Sequence, residues 1–181
     1  MQQEVIVSGF GGQGVLLVGQ LLAYTGMDVG KAVTWIPSYG PEMRGGTANC
    51  TVVISDEEIG SPFVKNPTAV IAMNLPSLDK YEPLVAKGGT LVINASMVNR
   101  KVERKDVKVV SIPANDIAEV LGSKRSVNMV LLGALLANLD LLSLEDVEIA
   151  LEGHMPERHK KFLAGNKAAL RKGAEYKAKE I

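Results

Sequence analysis

A glycine-rich turn between an apolar strand and an apolar helix is the strongest constraint that this sequence places on its fold. Residues 9–14 read G-x-G-x-x-G, directly after an apolar run at residues 5–7 and directly before another at residues 15–18. Glycines permit a tight turn, and they let main-chain N–H groups approach an anion at the positive end of a helix. This context predicts a strand at residues 4–8, a helix at about residues 12–25 and an anion-binding turn between them.

The same pattern is the fingerprint of dinucleotide-binding proteins, but one residue of that fingerprint is missing. Such proteins carry an acidic residue about 20 positions further on, at the end of the second strand, where it binds the ribose hydroxyl. The predicted second strand, residues 31–36, ends without an acid. Asp28 precedes it and Glu42 lies well beyond it. The sequence therefore disfavours an independent NAD(P)- or flavin-binding oxidoreductase or a nucleotide-binding module, and both stay open as alternatives.

A loop rich in proline and glycine, residues 37–46, follows the predicted second strand. In a right-handed α/β unit the loops after neighbouring strands 1 and 2 emerge at one edge of the sheet, so this loop is predicted to lie beside the glycine turn. Arg44 is suited to hold a phosphate or a carboxylate, although a pairing of Glu42 with Arg44 inside a protein–protein loop fits equally well. The candidate ligand-binding residues are Gly9, Gly11, Gly12, Gln13, Gly14, Ser38, Tyr39, Arg44, Gly45 and Gly46.

The rest of the chain first alternates between strands and helices and then becomes helical. Further strands are predicted at residues 47–55, 69–74, 89–95 and 107–112, with a helix at residues 75–85. After residue 113 only helices are predicted, at residues 115–122, 126–138, 143–152 and from 156 onward. This order is typical of a Rossmann-like α/β fold, an open and mostly parallel sheet flanked by helices. We expect a single domain over residues 1–181, with a sheet core at 1–113 and a helical C-terminal cover at 114–181.

Charge and composition argue against several classes of function. The chain has 20 Lys and Arg residues against 20 Asp and Glu residues, so its formal net charge is zero. This balance argues against nucleic acid or a membrane surface as a partner. The longest apolar run, residues 129–137, is too short to span a bilayer, and the first strand begins too early to leave room for a signal peptide. We therefore expect a cytoplasmic protein.

Cysteine and histidine give no sign of a metal centre in this chain. Cys50 is the only cysteine, so it forms no internal disulfide and cannot hold an iron–sulfur cluster by itself. We expect it to be buried and inert. His154 and His159 are five positions apart with Pro156 between them, a spacing that does not place both on one helical face as a helical zinc site requires.

Two motifs, taken together and in order, identify a family. Gly-Phe-Gly-Gly-Gln-Gly at residues 9–14 is followed, after one helix and one strand, by Pro-Ser-Tyr-Gly-Pro-Glu-Met-Arg-Gly-Gly at residues 37–46. The chain resembles the gamma subunit of the 2-oxoacid:ferredoxin oxidoreductases in these two motifs. The resemblance extends to residues 47–50 and 60–62 and to the segment 128–133. The resemblance covers essentially the whole chain. The length of the chain, without fused partner domains, is similar to that of a gamma subunit in the multi-subunit type of this enzyme.

The resemblance implies a subunit of an enzyme that oxidatively decarboxylates a 2-oxoacid to an acyl-CoA and passes the electrons to ferredoxin. It places thiamine diphosphate, its magnesium ion and the iron–sulfur clusters on partner subunits: alpha, beta and a ferredoxin-like delta subunit. The lone Cys50 and the lack of a G-D-G…N arrangement agree with that division. This chain would complete the assembly, would contact coenzyme A through the glycine turn and the Arg44 loop, and would be inactive in isolation. Pyruvate, 2-oxoglutarate, branched-chain and aryl 2-oxoacids stay open as substrates.

Three other segments are interpreted as surfaces or contacts. The basic stretch at residues 100–108 lacks aromatic residues and is predicted to be a solvated connection. The apolar helix at residues 126–138 is predicted to be buried, either against the sheet or in a subunit contact, and a homodimer through apolar surface is plausible. The basic C-terminal segment is predicted to be a solvated helix face, with docking of an acidic partner subunit or of coenzyme A phosphates as the alternative. Its basic residues include Lys160, Lys161, Lys167, Arg171 and Lys172.

Overall fold

Helices flank a single mixed sheet in the computed structural model, which describes residues 1–40, 46–140 and 142–176. The strands are Gln2–Phe10 (β1), Ala32–Tyr39 (β2), Thr47–Ser55 (β3), Ala69–Ala72 (β4), Thr90–Asn94 (β5) and Lys108–Ile112 (β6). The α-helices are Val15–Asp28 (α1), Leu75–Tyr81 (α2), Ala114–Val120 (α3), Val127–Leu136 (α4), Leu144–His154 (α5) and Leu163–Ala174 (α6). Short 3₁₀ turns lie at Glu82–Leu84, Lys124–Ser126 and Glu157–Phe162.

The strand order confirms an open, mostly parallel α/β sheet but corrects one neighbour relation. The order is β2-β3-β1-β4-β5-β6, in which β1, β4, β5 and β6 run parallel. β3 lies between β1 and β2 and is antiparallel to both, so the expectation that β1 and β2 are neighbours is wrong. The chain turns back after β2 through a short connection, which suits an antiparallel hairpin. Because β1 and β2 are both antiparallel to β3, they point the same way, and the predicted common edge is confirmed.

Five of the predicted turn or loop positions, residues 9–10 and 37–39, belong to strands instead. Pro37, predicted to begin the loop, pairs with Cys50 inside β2, which continues to Tyr39. β2 is an edge strand, and an edge position tolerates a residue that has no backbone N–H. Gly9 is likewise the penultimate residue of β1 and pairs with Ala48. Both strands therefore extend further toward the edge that carries the candidate site than their apolar residues alone suggest.

The helix α4 is the most deeply buried of the α-helices and lies against the sheet. Nine of its ten residues are buried, which confirms the prediction of an apolar helix without a polar face. The sheet side of α4 contacts β4, β5 and β6, and α6 covers its other side. Its burial thus arises within this chain, and the alternative in which it forms a subunit contact is wrong. Within the described part of the chain, no helix is long and apolar enough to cross a membrane.

The basic stretch between β5 and β6 folds back onto a buried carboxylate. Glu82 is 4% exposed, and its two oxygens accept hydrogen bonds from Arg100 Nη1 at 2.7 Å and from the backbone N–H groups of Glu103 and Arg104 at 2.5 and 3.0 Å. Burial alone would raise the pKa of Glu82, but these hydrogen bonds outweigh it and lower the pKa below its ordinary value. The prediction of a merely solvated connection is therefore wrong for Arg100 and Arg104.

We expect Glu82→Gln to lower the free energy of unfolding by about 2 kcal/mol at pH 7, because the amide loses the charged acceptor that Arg100 requires. The folded-state pKa of Glu82 is depressed, so its contribution is complete above the ordinary pKa of 4.5 and is lost as the pH falls through the folded-state value. The stability difference between wild type and Glu82→Gln should therefore shrink in acid. Urea titrations between pH 7 and pH 3 measure it, with the exposed Glu103→Gln as control, and a difference that does not depend on pH would contradict the prediction.

Candidate functional site

The glycine turn joins the end of β1 to the start of α1 and leaves the helix N-terminus open. Gly12 and Gly14 have φ angles of 95° and 77°, the left-handed region in which glycine is favoured. Gly14 is the N-cap of α1, no side chain in the described part of the chain caps the helix, and its first turn carries no acidic residue. Apart from its chain neighbours, no atom of the described residues lies within 4 Å of a Cβ built on Gly12. The first-turn N–H groups of a helix with such a terminus favour an anion.

The end of the predicted loop lies directly against this turn. The N–H group of Gly11 donates a hydrogen bond to the carbonyl oxygen of Gly46 at 2.8 Å, and that of Gly40 donates to Thr47 at 3.2 Å. The predicted proximity of the two motifs is confirmed for Gly46. Ser38 and Tyr39 end β2 two strands away from β1, and Tyr39 is 63% exposed. Arg44 and Gly45 lie outside the described residues.

Gln13, predicted to contact a ligand, uses its carbonyl oxygen to hold the turn. Its Oε1 accepts hydrogen bonds from the backbone N–H of Phe10 at 2.6 Å and from Asn74 Nδ2 at 3.2 Å. Its Nε2 has no hydrogen-bond partner among the residues that the structure describes. The side chain therefore braces the turn with one atom and leaves a donor available with the other.

Asparagines at the ends of the neighbouring strands extend this polar network. Asn74, two residues after the end of β4, is 2% exposed, and its Oδ1 caps α2 by accepting from Ser77 N–H at 3.0 Å. Asn94, the last residue of β5, is fully buried and donates to Asn115 Oδ1 at 2.8 Å. Sequence analysis missed both residues. The available signal was an isolated amide at the end of an apolar run, at the edge of the sheet where the glycine turn lies.

The start of α4 closes the other side of the turn. Asn128 is 4% exposed, and its Nδ2 donates to the carbonyl oxygen of Gly14 at 3.4 Å. A Cβ on Gly14 would lie 2.4 Å from that same nitrogen. Gly14 therefore needs both its left-handed φ angle and its lack of a side chain.

The remaining titratable side chains that the structure describes are not gathered into a dinucleotide or metal site. Asp28 ends α1, at the far end of the helix from the glycine turn, where its Oδ2 lies 2.9 Å from His154 Nε2. Cys50 is buried, and burial raises the pKa of its thiol to about 11, which fits the expectation of an inert residue. His154 stacks on Tyr24 with a centroid distance of 4.3 Å. Within residues 1–40, 46–140 and 142–176, no group of three His, Cys, Asp or Glu residues is placed to hold a metal ion.

The fold and the site define a Rossmann-like α/β protein with an open glycine turn that lacks the acidic residue of a dinucleotide site. Residues 4–176 match the model of the family described as pyruvate ferredoxin/flavodoxin oxidoreductase, and the chain belongs to this family. The resemblance noted from the two motifs is thereby confirmed.

Named relatives come from several enzymes of this kind. The chain is 41% identical to ketoisovalerate oxidoreductase subunit VorA of Methanothermobacter thermautotrophicus over 79% of its own length and 29% of that protein. It thus spans less than a third of the VorA relative. It is 35% identical to 2-oxoglutarate synthase subunit KorC of Methanocaldococcus jannaschii, over 92% of each chain. The crystal structure of a keto/oxoacid ferredoxin oxidoreductase gamma subunit from Geobacter sulfurreducens matches with a TM-score of 0.84 at 29% identity, covering 97% of this chain and 95% of that one.

Proposed function

We propose that this chain is the gamma subunit of a thiamine diphosphate-dependent 2-oxoacid:ferredoxin oxidoreductase. The complex oxidises a 2-oxoacid to carbon dioxide and an acyl-CoA and passes the electrons to ferredoxin. The observation that carries the proposal is the match to a gamma subunit along nearly the full length of both chains. We propose that residues 1–181 form one domain and that the complex works in the cytoplasm.

The residues of this chain do not fit the redox cofactors of such an enzyme. An iron–sulfur cluster needs several thiolates, whereas Cys50 is the only cysteine and its thiol is buried with a raised pKa. We therefore assign thiamine diphosphate, magnesium and the clusters to the alpha, beta and delta subunits. This chain supplies assembly contacts and a surface for coenzyme A, and it is inactive by itself.

The glycine turn is the proposed contact for coenzyme A phosphates. The N-terminus of α1 has no side-chain cap and no acidic residue in its first turn, so an anion there gains from the helix dipole. Gly12 lets a ligand approach the main chain, and Gln13 Nε2 adds a donor. Ser38, Tyr39, Arg44, Gly45 and Gly46 belong to the same proposed site, with Arg44 as the phosphate-binding cation.

Co-expression with the alpha, beta and delta subunits tests the proposed function. We expect a complex that reduces ferredoxin in a reaction that requires both coenzyme A and a 2-oxoacid, assayed with pyruvate, 2-oxoglutarate, 3-methyl-2-oxobutanoate and an arylpyruvate. Leaving out this chain should abolish assembly or activity. Unchanged assembly and activity without it would overturn the proposal, as would micromolar binding of NAD or NADP to the isolated chain in calorimetry.

Gln13→Glu should separate the bracing role of this side chain from its ligand contact. A carboxylate still accepts from Phe10 N–H and Asn74 Nδ2, so we expect the free energy of unfolding to stay within about 0.5 kcal/mol of wild type. The added negative charge repels a phosphate at the α1 N-terminus, and the KM for coenzyme A should rise roughly tenfold. Gln2→Glu, the same change at the opposite end of β1, is the control. Equal KM values for the two variants would remove coenzyme A from the glycine turn.

A further inference from the structure

A mostly apolar open cleft lies along the outer face of α1, next to the glycine turn, with which it shares Asn128. Its volume is about 500 Å³, a size typical of binding sites. Its walls come from α1, from the start of α4, from the end of α5 and from the 3₁₀ turn before α6. Its apolar lining includes Leu17, Leu21, Tyr24, Met155 and Phe162.

The outer face of α1 has the apolar composition of a covered surface, yet the described residues of this chain leave part of it exposed. Residues 15–27 contain no charged side chain, whereas an exposed helix face normally carries several. Leu17 and Tyr24, one above the other at a spacing of seven, are 46% and 39% exposed and line the cleft. An apolar strip of this kind beside a concave cleft is typical of an interaction surface.

One end of the cleft carries positive charge from Arg125, which lines it, and from Lys161, which lies next to the lining residue Phe162. Arg125 and Lys161 approach the ring of Phe162 at 5.9 and 5.1 Å, and neither has a carboxylate partner in the described part of the chain. His159 lies beside the same ring, 6.4 Å away between centroids. The other four cations singled out in the basic C-terminal segment each pair with a glutamate of this chain: Lys160, Lys167, Arg171 and Lys172. The prediction of a solvated helix face thus applies to those four residues. Lys161 has no carboxylate partner among the described residues and can pair with an acidic group of another molecule.

We propose that this cleft receives an acidic, apolar segment of a partner subunit in the 2-oxoacid:ferredoxin oxidoreductase. Its apolar side chains pack against Leu17, Tyr24 and Phe162, and its carboxylates pair with Arg125 and Lys161. Charge complementarity and the uncharged α1 face both favour this occupant. The inference rests on the proposed function, because that function supplies the partner.

A second copy of the same chain is the less suitable occupant. The exposed acidic pair Glu57 and Glu58 lies in the connection after β3, distant along the chain from the elements that line the cleft. A closed dimer of two copies would require this acidic pair and the cleft to face each other reciprocally across a two-fold axis. A different subunit needs no such symmetry.

Charge reversal tests the surface. The alpha, beta and delta subunits are purified without this chain, singly or in whatever assembly they form, and the affinity of this chain for them is measured by biolayer interferometry in the absence of coenzyme A. We expect Arg125→Glu with Lys161→Glu to weaken binding roughly tenfold or more and to flatten its dependence on NaCl concentration. Leu17→Glu should weaken binding to a similar extent. The melting temperature of this variant should stay at the wild-type value, because a negative charge in the first turn of α1 interacts favourably with the helix dipole. Lys65→Glu with Lys105→Glu, the same charge change at two exposed positions outside the cleft, should alter affinity by less than about twofold.

A benzophenone side chain introduced at Tyr24 identifies the occupant. After irradiation of the assembled complex, mass spectrometry should find cross-links to a partner segment that contains apolar and acidic residues. Cross-links to residues 57–58 of a second copy, or variants that bind as tightly as wild type, would overturn the inference. If wild type itself does not bind the partner subunits, the proposed function fails instead, so the two failures are distinguishable.

Discussion

Gly133→Ala is expected to lower the free energy of unfolding by about 3 kcal/mol or more, because it adds a methyl group where two helices touch. A Cβ on Gly133 would lie 1.9 Å from the carbonyl oxygen of Leu170, and one on Gly173 would lie 1.9 Å from that of Val130. Each obstacle is helical backbone and not a side chain that could rotate away. The helices α4 and α6 must therefore move apart, and the core around α4 loses contacts on both sides.

A glycine in an unobstructed helix position supplies the control for this prediction. Gly153 lies in α5, and outside its own helical backbone no atom of the described residues lies within 4 Å of a Cβ built there. Gly153→Ala should therefore raise the free energy of unfolding by about 0.5–1 kcal/mol. Urea titrations monitored by circular dichroism measure both changes. If Gly133→Ala were tolerated as well as Gly153→Ala, the close packing of α4 against α6 would be refuted.

Local chemistry explains why the outline of the fold was predictable. The apolar run before residues 9–14, the glycines and the apolar run after them are neighbours in sequence, so strand, turn and helix follow without tertiary information. The insertion of β3 between β1 and β2 depends on long-range pairing, such as Val5 with Val52, that no local pattern encodes. The close contact of Gly133 with Leu170 is hidden for the same reason.

The candidate site was predictable where backbone chemistry decides it and less so where side chains choose partners. The glycines at residues 9–14 predict a backbone turn that other residues rarely adopt. The common edge of the sheet predicts that the loop lies beside this turn, as the hydrogen bond from Gly11 to Gly46 shows. Gln13 offers one acceptor and one donor group, and the sequence does not reveal that Asn74 and Phe10 occupy the acceptor. Likewise, the sequence does not distinguish Arg171, which pairs with Glu148, from Arg125, which has no carboxylate partner among the described residues.

Gly14→Ala is expected to lower kcat/KM for coenzyme A about a hundredfold in the assembled oxidoreductase, because a displacement of about 1 Å at a binding turn has an effect of this size. Gly14 has a φ angle of 77°, and an alanine there would also place its Cβ 2.4 Å from Asn128 Nδ2. Relief requires the turn to move away from the start of α4 or Asn128 to release the carbonyl of Gly14. Either change displaces the N–H groups proposed to bind the phosphates.

Gly30→Ala separates this loss of binding from backbone strain. Gly30 has nearly the same φ angle, 78°, and follows α1 at the end opposite the glycine turn. Apart from its chain neighbours, no atom of the described residues lies within 4 Å of a Cβ built on Gly30. Both variants should lose about 1–2 kcal/mol of stability from the left-handed conformation alone. Only Gly14→Ala should also lose activity at varied coenzyme A concentrations, measured as ferredoxin reduction. Similar kcat/KM values for the two variants would mean that the strained backbone serves the fold and that the phosphates bind elsewhere.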